Sequence, residues 1–91
     1  MAVSIRIPTP MRNLTGGASE VSVEGSTLND AINALDAAHP GVAERVLDDS
    51  GALRRFVNVY VGDEDVRFLD GLDTVLVDGA SISIIPAVAG G

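Results

Sequence analysis

The chain has 91 residues, 46% of them hydrophobic and 21% charged, which is enough apolar material for one domain around a single core. Thirteen acidic residues against six arginines and no lysine give a formal net charge of −7, which argues against nucleic acid and anionic membrane surfaces as partners, because both require clustered cations. The absence of cysteine excludes disulfides, thiolate metal sites and cysteine nucleophiles, and the absence of a long apolar run predicts a cytoplasmic protein with no membrane span.

A β-hairpin is predicted at the beginning of the chain. Residues 3–7 alternate apolar and polar side chains, the pattern of a half-buried strand, and Pro8 ends that strand because proline cannot donate a hydrogen bond to a sheet. Residues 11–14 are expected to extend this first arm irregularly. The two glycines at residues 16–17 supply the conformational freedom of a turn, and residues 20–24 alternate again to form the second arm.

A helix should follow, with Ser26 or Thr27 as its N-cap and with its end before Pro40. Its apolar residues recur at spacings of three and four positions, which places them on one stripe of the helix that faces the core. These residues are Leu28, Ala31, Ile32, Leu35 and Ala38. A shorter helical turn is predicted over residues 42–47.

The second half of the chain supplies the remaining strands. Residues 56–61 are β-branched or aromatic at five of six positions, which is the strongest strand signal in the sequence. An acidic turn then leads into a short arm over residues 66–68. The form of residues 72–77 is left open. The last strand covers residues 81–85 and is terminated by Pro86.

The order of these elements is strand, strand, helix, strand, short strand, strand, which indicates the α+β class. If the last strand lies parallel to the first, the right-handed crossover makes the arrangement a β-grasp, or ubiquitin-like, fold. We then expect a mixed four- to five-stranded sheet with one main helix and a short second helix. The domain should cover residues 1–86, followed by a flexible tail over residues 87–91.

Few residues could carry catalysis or bind a metal. His39 is the only imidazole and lies at the predicted end of the helix, where a solvated side chain that favours the helix dipole is the usual role. No Gly-x-Ser-x-Gly motif presents a serine nucleophile, and the acidic turn at residues 63–65 lacks the spacing of a calcium loop. We therefore expect no catalytic residue, no metal site and no cofactor bound by this chain.

The C-terminal residues carry the clearest functional signal. Gly90 and Gly91 follow the strand-ending Pro86 after a short apolar spacer. Five extended residues reach roughly 17 Å beyond a sheet, and glycines, which lack a Cβ atom, can pass through a narrow channel. This geometry would place a terminal carboxylate inside the active site of another protein, which suits a carrier and not an enzyme.

Two stretches of the sequence resemble a known family. A β-grasp order that ends in residues 84–91, Ile-Ile-Pro-Ala-Val-Ala-Gly-Gly, resembles the ubiquitin-like sulfur carriers of the MoaD/ThiS family. Residues 55–68, Arg-Phe-Val-Asn-Val-Tyr-Val-Gly-Asp-Glu-Asp-Val-Arg-Phe, are most similar to its CysO branch, which supplies sulfur for cysteine biosynthesis. The likeness covers nearly the whole chain.

The resemblance implies a role for each residue of the tail and a set of partners. Gly91 would be adenylated with ATP by an E1-like enzyme of the MoeB/ThiF type and converted to a thiocarboxylate, while Ala87, Val88, Ala89 and Gly90 thread the partner's active site. A PLP-dependent cysteine synthase would accept the sulfur, and a zinc-dependent JAMM-type peptidase would release cysteine. ATP, pyridoxal phosphate and zinc would belong to these partners.

The parity of residues 56–61 predicts where a partner would dock. If Val57, Val59 and Val61 face the core together with Ile82 and Ile84, four residues face outward near the tail and form a candidate docking patch: Phe56, Asn58, Tyr60 and Ile85. The opposite parity would bury Phe56 and Tyr60, and the sequence leaves both parities open. The net charge of −7 further predicts attraction to basic partner surfaces.

Two other functions remain open at the level of the sequence. A carrier with the same chemistry could serve another acceptor, as the small subunit of molybdopterin synthase, as a thiazole carrier or as a supplier for 2-thiosugars. A ubiquitin-like binding module with an inert tail would carry no sulfur at all.

Overall fold

The computed structural model describes residues 2–86, and within them five strands form one mixed sheet. The strands are β1 (Ala2–Arg6), β2 (Glu20–Glu24), β3 (Val57–Val61), β4 (Glu64–Asp65) and β5 (Ser81–Pro86). The two α-helices in this range are α1 (Leu28–Ala38) and α2 (Val42–Val46). Three further segments form 3-10 helix: Thr9–Thr15, Val66–Phe68 and Gly71–Asp73.

The strand order in the sheet is β2-β1-β5-β3-β4. β1 pairs antiparallel with β2 and parallel with β5, while β5 pairs antiparallel with β3. The last strand therefore lies beside the first in the parallel sense, with the helices between them in the chain. This is the predicted β-grasp fold, and it is confirmed with five strands in the sheet.

Helix α1 begins and ends where the sequence predicted. The Thr27 side chain accepts a hydrogen bond of 3.2 Å from the Asp30 amide, which caps the first turn. The predicted apolar stripe is buried except at its last member. Ala38 is exposed, because it lies in the final turn and about 80° around the axis from Leu28, at the margin of the stripe.

The connection between β1 and β2 differs from the prediction. Residues 11–14 do not extend the first arm; they belong to a 3-10 helix whose first turn contains a proline and which buries Met11 in the core. The Thr15 hydroxyl, which ends the segment, is within hydrogen-bond distance of two carbonyl oxygens that it can donate to, those of Arg12 at 3.2 Å and Ala18 at 2.9 Å. Gly16 then has a φ of 66°, the left-handed region that favours glycine.

The segments around β4 are also more tightly coiled than predicted. Residues 66–68 were expected to form a strand arm but form a 3-10 turn, because the Asp65 carboxylate accepts a hydrogen bond of 2.9 Å from the Arg67 amide and starts a turn there. The open segment 72–77 begins in a second 3-10 turn and then extends, with Val75 in a β-bridge to Thr27 and Leu76 fully buried.

The core lies between one face of the sheet and helix α1. Alternate residues of the central strands supply it, including Ile5, Ile82 and Val59, each with 0–1% of its surface exposed. Val57 and Val59 are buried and Phe56 is exposed, so the first of the two parities considered for β3 is confirmed and the alternative is wrong.

Candidate functional site

The tail predicted from the sequence would leave the domain at the end of β5. Pro86 is the last residue of β5 and lies opposite Val57, the first residue of β3. The residues to which the tail function was assigned, Ala87, Val88, Ala89, Gly90 and Gly91, lie outside the described residues. The structure therefore defines the surface beside the predicted tail.

The four predicted docking residues share the outer face of the sheet next to Pro86. Asn58 lies directly opposite Ile85 in the β3–β5 register, and Phe56 immediately precedes β3. Phe56 is 58% exposed and Ile85 48% exposed, while Asn58 and Tyr60 are half-buried. Strand parity thus brings these residues together, and their role in binding a partner stays a prediction.

Arg67 holds this part of the sheet together, and the sequence reasoning did not find it. Its Nη1 donates a hydrogen bond of 2.6 Å to Asn58 Oδ1, and its Nη2 donates to the carbonyl oxygens of Arg54 and Val57 at 2.8 and 2.7 Å. A planar guanidinium can serve three such acceptors at once, whereas an ammonium lacks the fixed fork. Arg67 therefore fixes the backbone on both sides of Phe56.

The loop that precedes β3 is shaped by Asp48. Its Oδ1 accepts hydrogen bonds from the Ser50 hydroxyl, the Ser50 amide and the Ala52 amide at 2.6, 2.9 and 3.1 Å. The bond from the Ser50 hydroxyl, followed by those from the two amides, lowers the pKa of Asp48 below its ordinary value. Downstream, Arg54 Nε donates to the Glu44 carbonyl oxygen at 2.8 Å and anchors the loop to α2.

Acidification should weaken this loop. The folded-state pKa of Asp48 lies below its ordinary value of 3.8, so its carboxylate stabilises the fold above that pH and loses this contribution as the pH falls through the folded pKa. In urea titrations across this range, the stability advantage of the wild type over Asp48→Asn, which keeps the acceptor oxygen but not the charge, should shrink with falling pH. A constant difference would contradict this assignment.

The structure also places His39 and the acidic turn, the other residues that the sequence analysis considered for catalysis or metal binding. His39 is the C-cap of α1, and its amide donates to the Leu35 carbonyl oxygen at 2.8 Å. Asp63 and Glu64 are exposed at a turn. Among residues 2–86, no three His, Asp or Glu side chains converge as a metal site, and none of the helices there is long and apolar enough to cross a membrane.

A shallow, open depression of about 240 Å³ lies between α2 and the loop that leads to Arg54. Its charged lining consists of Glu44, Asp48, Asp49 and Arg54. Asp48 is already engaged in the turn described above, and the depression brings no nucleophile and base together.

Comparisons with known proteins agree with this fold and size. A model of the ThiS family matches residues 5–91. The sulfur carrier protein CysO of Mycobacterium tuberculosis is 53% identical over 93 aligned residues, which cover 100% of both chains. Its crystal structure superimposes with a TM-score of 0.90 and 51% identity, covering 94% of this chain and 99% of that one.

A second solved structure matches the domain as closely. In the crystal structure of the BexX/CysO complex from Amycolatopsis orientalis, the matching chain has a TM-score of 0.92 and 44% identity, with coverage of 98% of this chain and 99% of that one. A relative with this fold thus forms a complex with another protein.

Proposed function

The chain belongs to the ThiS family and is a homologue of the sulfur carrier protein CysO, and on this premise we propose that it carries sulfur as a thiocarboxylate on Gly91 for cysteine biosynthesis in the cytoplasm. The observation that carries the proposal is the match to CysO at 53% identity, which covers 100% of both chains and includes Gly90 and Gly91 of this one. The fold supports it, because β5 leads toward that end from the centre of the sheet.

The chemistry requires activation of a weak electrophile. A carboxylate resists nucleophiles because its charge is delocalised and its leaving group would be oxide. An E1-like enzyme of the MoeB/ThiF type would let the Gly91 carboxylate oxygen attack the α-phosphorus of ATP, which releases pyrophosphate and forms an acyl adenylate. A sulfide sulfur would then attack the acyl carbon, AMP would leave, and the terminal group would become a thiocarboxylate.

This chain's own part in the reaction is to present its terminal carboxylate to the partner without a side reaction between its own side chains and the activated group. The sequence contains no lysine and no cysteine, so it has no ε-amine and no thiol that could attack the activated carbonyl within the same chain. The described domain supplies a five-stranded sheet and an outer face on which a partner can align the tail. Binding of ATP, pyridoxal phosphate and zinc is assigned to the partner enzymes, and the chain acts as their cosubstrate.

The molecule that accepts the sulfur distinguishes this proposal from the alternative carrier functions. The likeness to CysO favours a PLP-dependent cysteine synthase as acceptor and a JAMM-type zinc peptidase for release, over the molybdopterin, thiazole and 2-thiosugar pathways. The matching chain in the complex with BexX supports docking to a partner protein in general. A binding module with an inert tail would take part in none of these reactions.

A transfer assay with alternative acceptors tests the proposal. The thiocarboxylate sulfur should bond to the β-carbon of the amino-acid substrate of a PLP-dependent cysteine synthase, in place of that substrate's leaving group. Rearrangement of the thioester to an amide should leave a cysteinyl adduct that intact mass detects, and a JAMM-type peptidase should hydrolyse it to cysteine and the free carboxylate. The unloaded chain is the control and should form no adduct. Transfer to a molybdopterin, thiazole or thiosugar precursor in place of the synthase would assign the carrier to that pathway and contradict the cysteine assignment.

A further inference from the structure

Half of the arginines of this acidic chain are clustered beside the predicted tail. Three of the six arginines, Arg54, Arg55 and Arg67, lie at the start of β3, although the chain as a whole carries −7. The start of β3 is paired with the end of β5 through Val57 and Pro86. Half of the protein's cations are therefore gathered at the corner of the sheet from which the tail would leave.

The charge of Arg67 is held in place without being neutralised. Within residues 2–86, all the acceptors of its guanidinium are uncharged, namely the Asn58 side-chain oxygen and the carbonyl oxygens of Arg54 and Val57. Arg55 is exposed in the turn between Arg54 and Phe56. These two guanidiniums thus present full positive charge, and Arg67 presents it in a fixed position, which avoids the entropic cost of ordering it on binding.

The nearby carboxylates of Asp48 and Asp65 make their hydrogen bonds to groups other than the Arg55 and Arg67 guanidiniums. Asp65 accepts from the Arg67 amide and stands opposite Tyr60, and Glu64 is exposed at the tip of the β4 turn. On the other side, the loop carboxylate of Asp48 interacts with Arg54, whose Nε is also engaged by α2. Arg54 is therefore turned toward α2, and Arg55 and Arg67 are the cations on the tail side.

Large apolar side chains are exposed among these arginines. Phe56 and Ile85 lie beside the end of β5, and Phe68, which directly follows Arg67, is 87% exposed. Exposed aromatic residues next to arginine are typical of the energetically important centres of protein interfaces. We name this surface, made of Arg55, Phe56, Arg67, Phe68 and Ile85, the tail-base corner.

We propose that the tail-base corner docks a partner protein whose surface carries carboxylates around an apolar depression. Charge complementarity favours an acidic partner surface here, because it would attract Arg55 and Arg67. The net charge of the chain alone would favour a basic partner, but a basic surface would repel these two arginines. The inference rests on the proposed function, in which a MoeB/ThiF-type adenylyltransferase must seat the tail. It adds that the docking surface of that enzyme is negatively charged and that Arg67 positions the backbone around Phe56 for binding.

Calorimetric binding of charge variants to a purified MoeB/ThiF-type adenylyltransferase from the same genome, without ATP, tests the inference. Arg55→Glu should raise Kd about tenfold, because it places like charge against the acidic rim. Arg67→Lys keeps the charge but loses the fork that holds Phe56, and should raise Kd about threefold. Arg6→Glu makes the same charge reversal in β1, two strands away from β3, and should change Kd less than about twofold. Each variant is first shown to unfold cooperatively.

Four results would overturn the inference: no binding of the wild type, an unchanged or tighter Kd for Arg55→Glu, an equal loss for Arg55→Glu and Arg6→Glu, or an unchanged Kd for Arg67→Lys. The loading reaction, run in parallel with ATP and a sulfur donor, separates this from the proposed function. A wild-type chain that binds with the predicted variant pattern but gains no sulfur would contradict the carrier role and leave the docking surface standing.

Discussion

Deletion of Gly91 should abolish ATP-dependent loading with sulfur while leaving the melting temperature of the domain unchanged. Removal of one extended residue withdraws the terminal carboxylate by about 3.4 Å, and a displacement of even about 1 Å from the reacting position can cost about a hundredfold in rate. The new terminus is still a glycine carboxylate, at Gly90, so its position changes and its chemistry does not. Loading is measured by intact mass spectrometry and folding by circular dichroism.

A variant with an unshifted terminus is the matched control. Gly91→Ala keeps the carboxylate at the same position along the chain and adds only a methyl group, so it should retain more loading than the deletion. Equal loading of the deleted and wild-type chains would contradict the assignment of Gly91 as the sulfur-bearing residue. Unfolding of the domain on deletion would show that the terminus is structural and would contradict the carrier interpretation.

Truncation of Ile82 should destabilise the domain more than any surface change. Ile82 is 1% exposed in β5, between β1 and β3, and its conversion to alanine removes buried methyl groups and leaves a cavity. Such substitutions cost about 2–5 kcal/mol, a large part of the roughly 5–15 kcal/mol that stabilises a typical small domain. Urea unfolding of Ile82→Ala should therefore show a midpoint far below that of the wild type.

The same strand offers a control of the same residue type. Ile85 lies three residues further along β5 on the opposite face and is 48% exposed, so Ile85→Ala should change stability by no more than about 0.5 kcal/mol. It should instead weaken binding to the adenylyltransferase, because it removes an apolar contact from the tail-base corner. Equal loss of stability in the two variants would contradict the assignment of the sheet faces.

Alternation of side chains carried most of the successful fold prediction. The strands around Ile5, Val59 and Ile82 have a period of two, and the helix after Thr27 has an apolar stripe and a cap, so local residues specify both. The parity of β3 could not be settled from its own residues, since Phe56 and Tyr60 suit either face. The pairing of Asn58 with the exposed Ile85 settles it.

Contacts between distant residues account for what the sequence did not reveal. Arg67 lies nine residues from Asn58 and thirteen from Arg54, and its role depends on the 3-10 turn that Asp65 starts, where a strand arm was expected. The exposure of Phe68 follows from that same turn. The candidate docking residues near Pro86 follow from one of the two strand parities that the sequence leaves open, and the burial of Val57 and Val59 selects that parity. The tail itself was predicted from residues 87–91, and its role stays a prediction.

Intact mass spectrometry of the wild-type chain, incubated with a MoeB/ThiF-type adenylyltransferase, ATP and a sulfide source, tests the central claim most directly. We expect an ATP-dependent gain equal to the exchange of one oxygen for sulfur, located by fragmentation at Gly91 and trapped by alkylation of the thioacid. CysO of Mycobacterium tuberculosis, loaded by the same enzyme, serves as the positive control. A chain whose mass stays unchanged while that control is loaded would contradict the account.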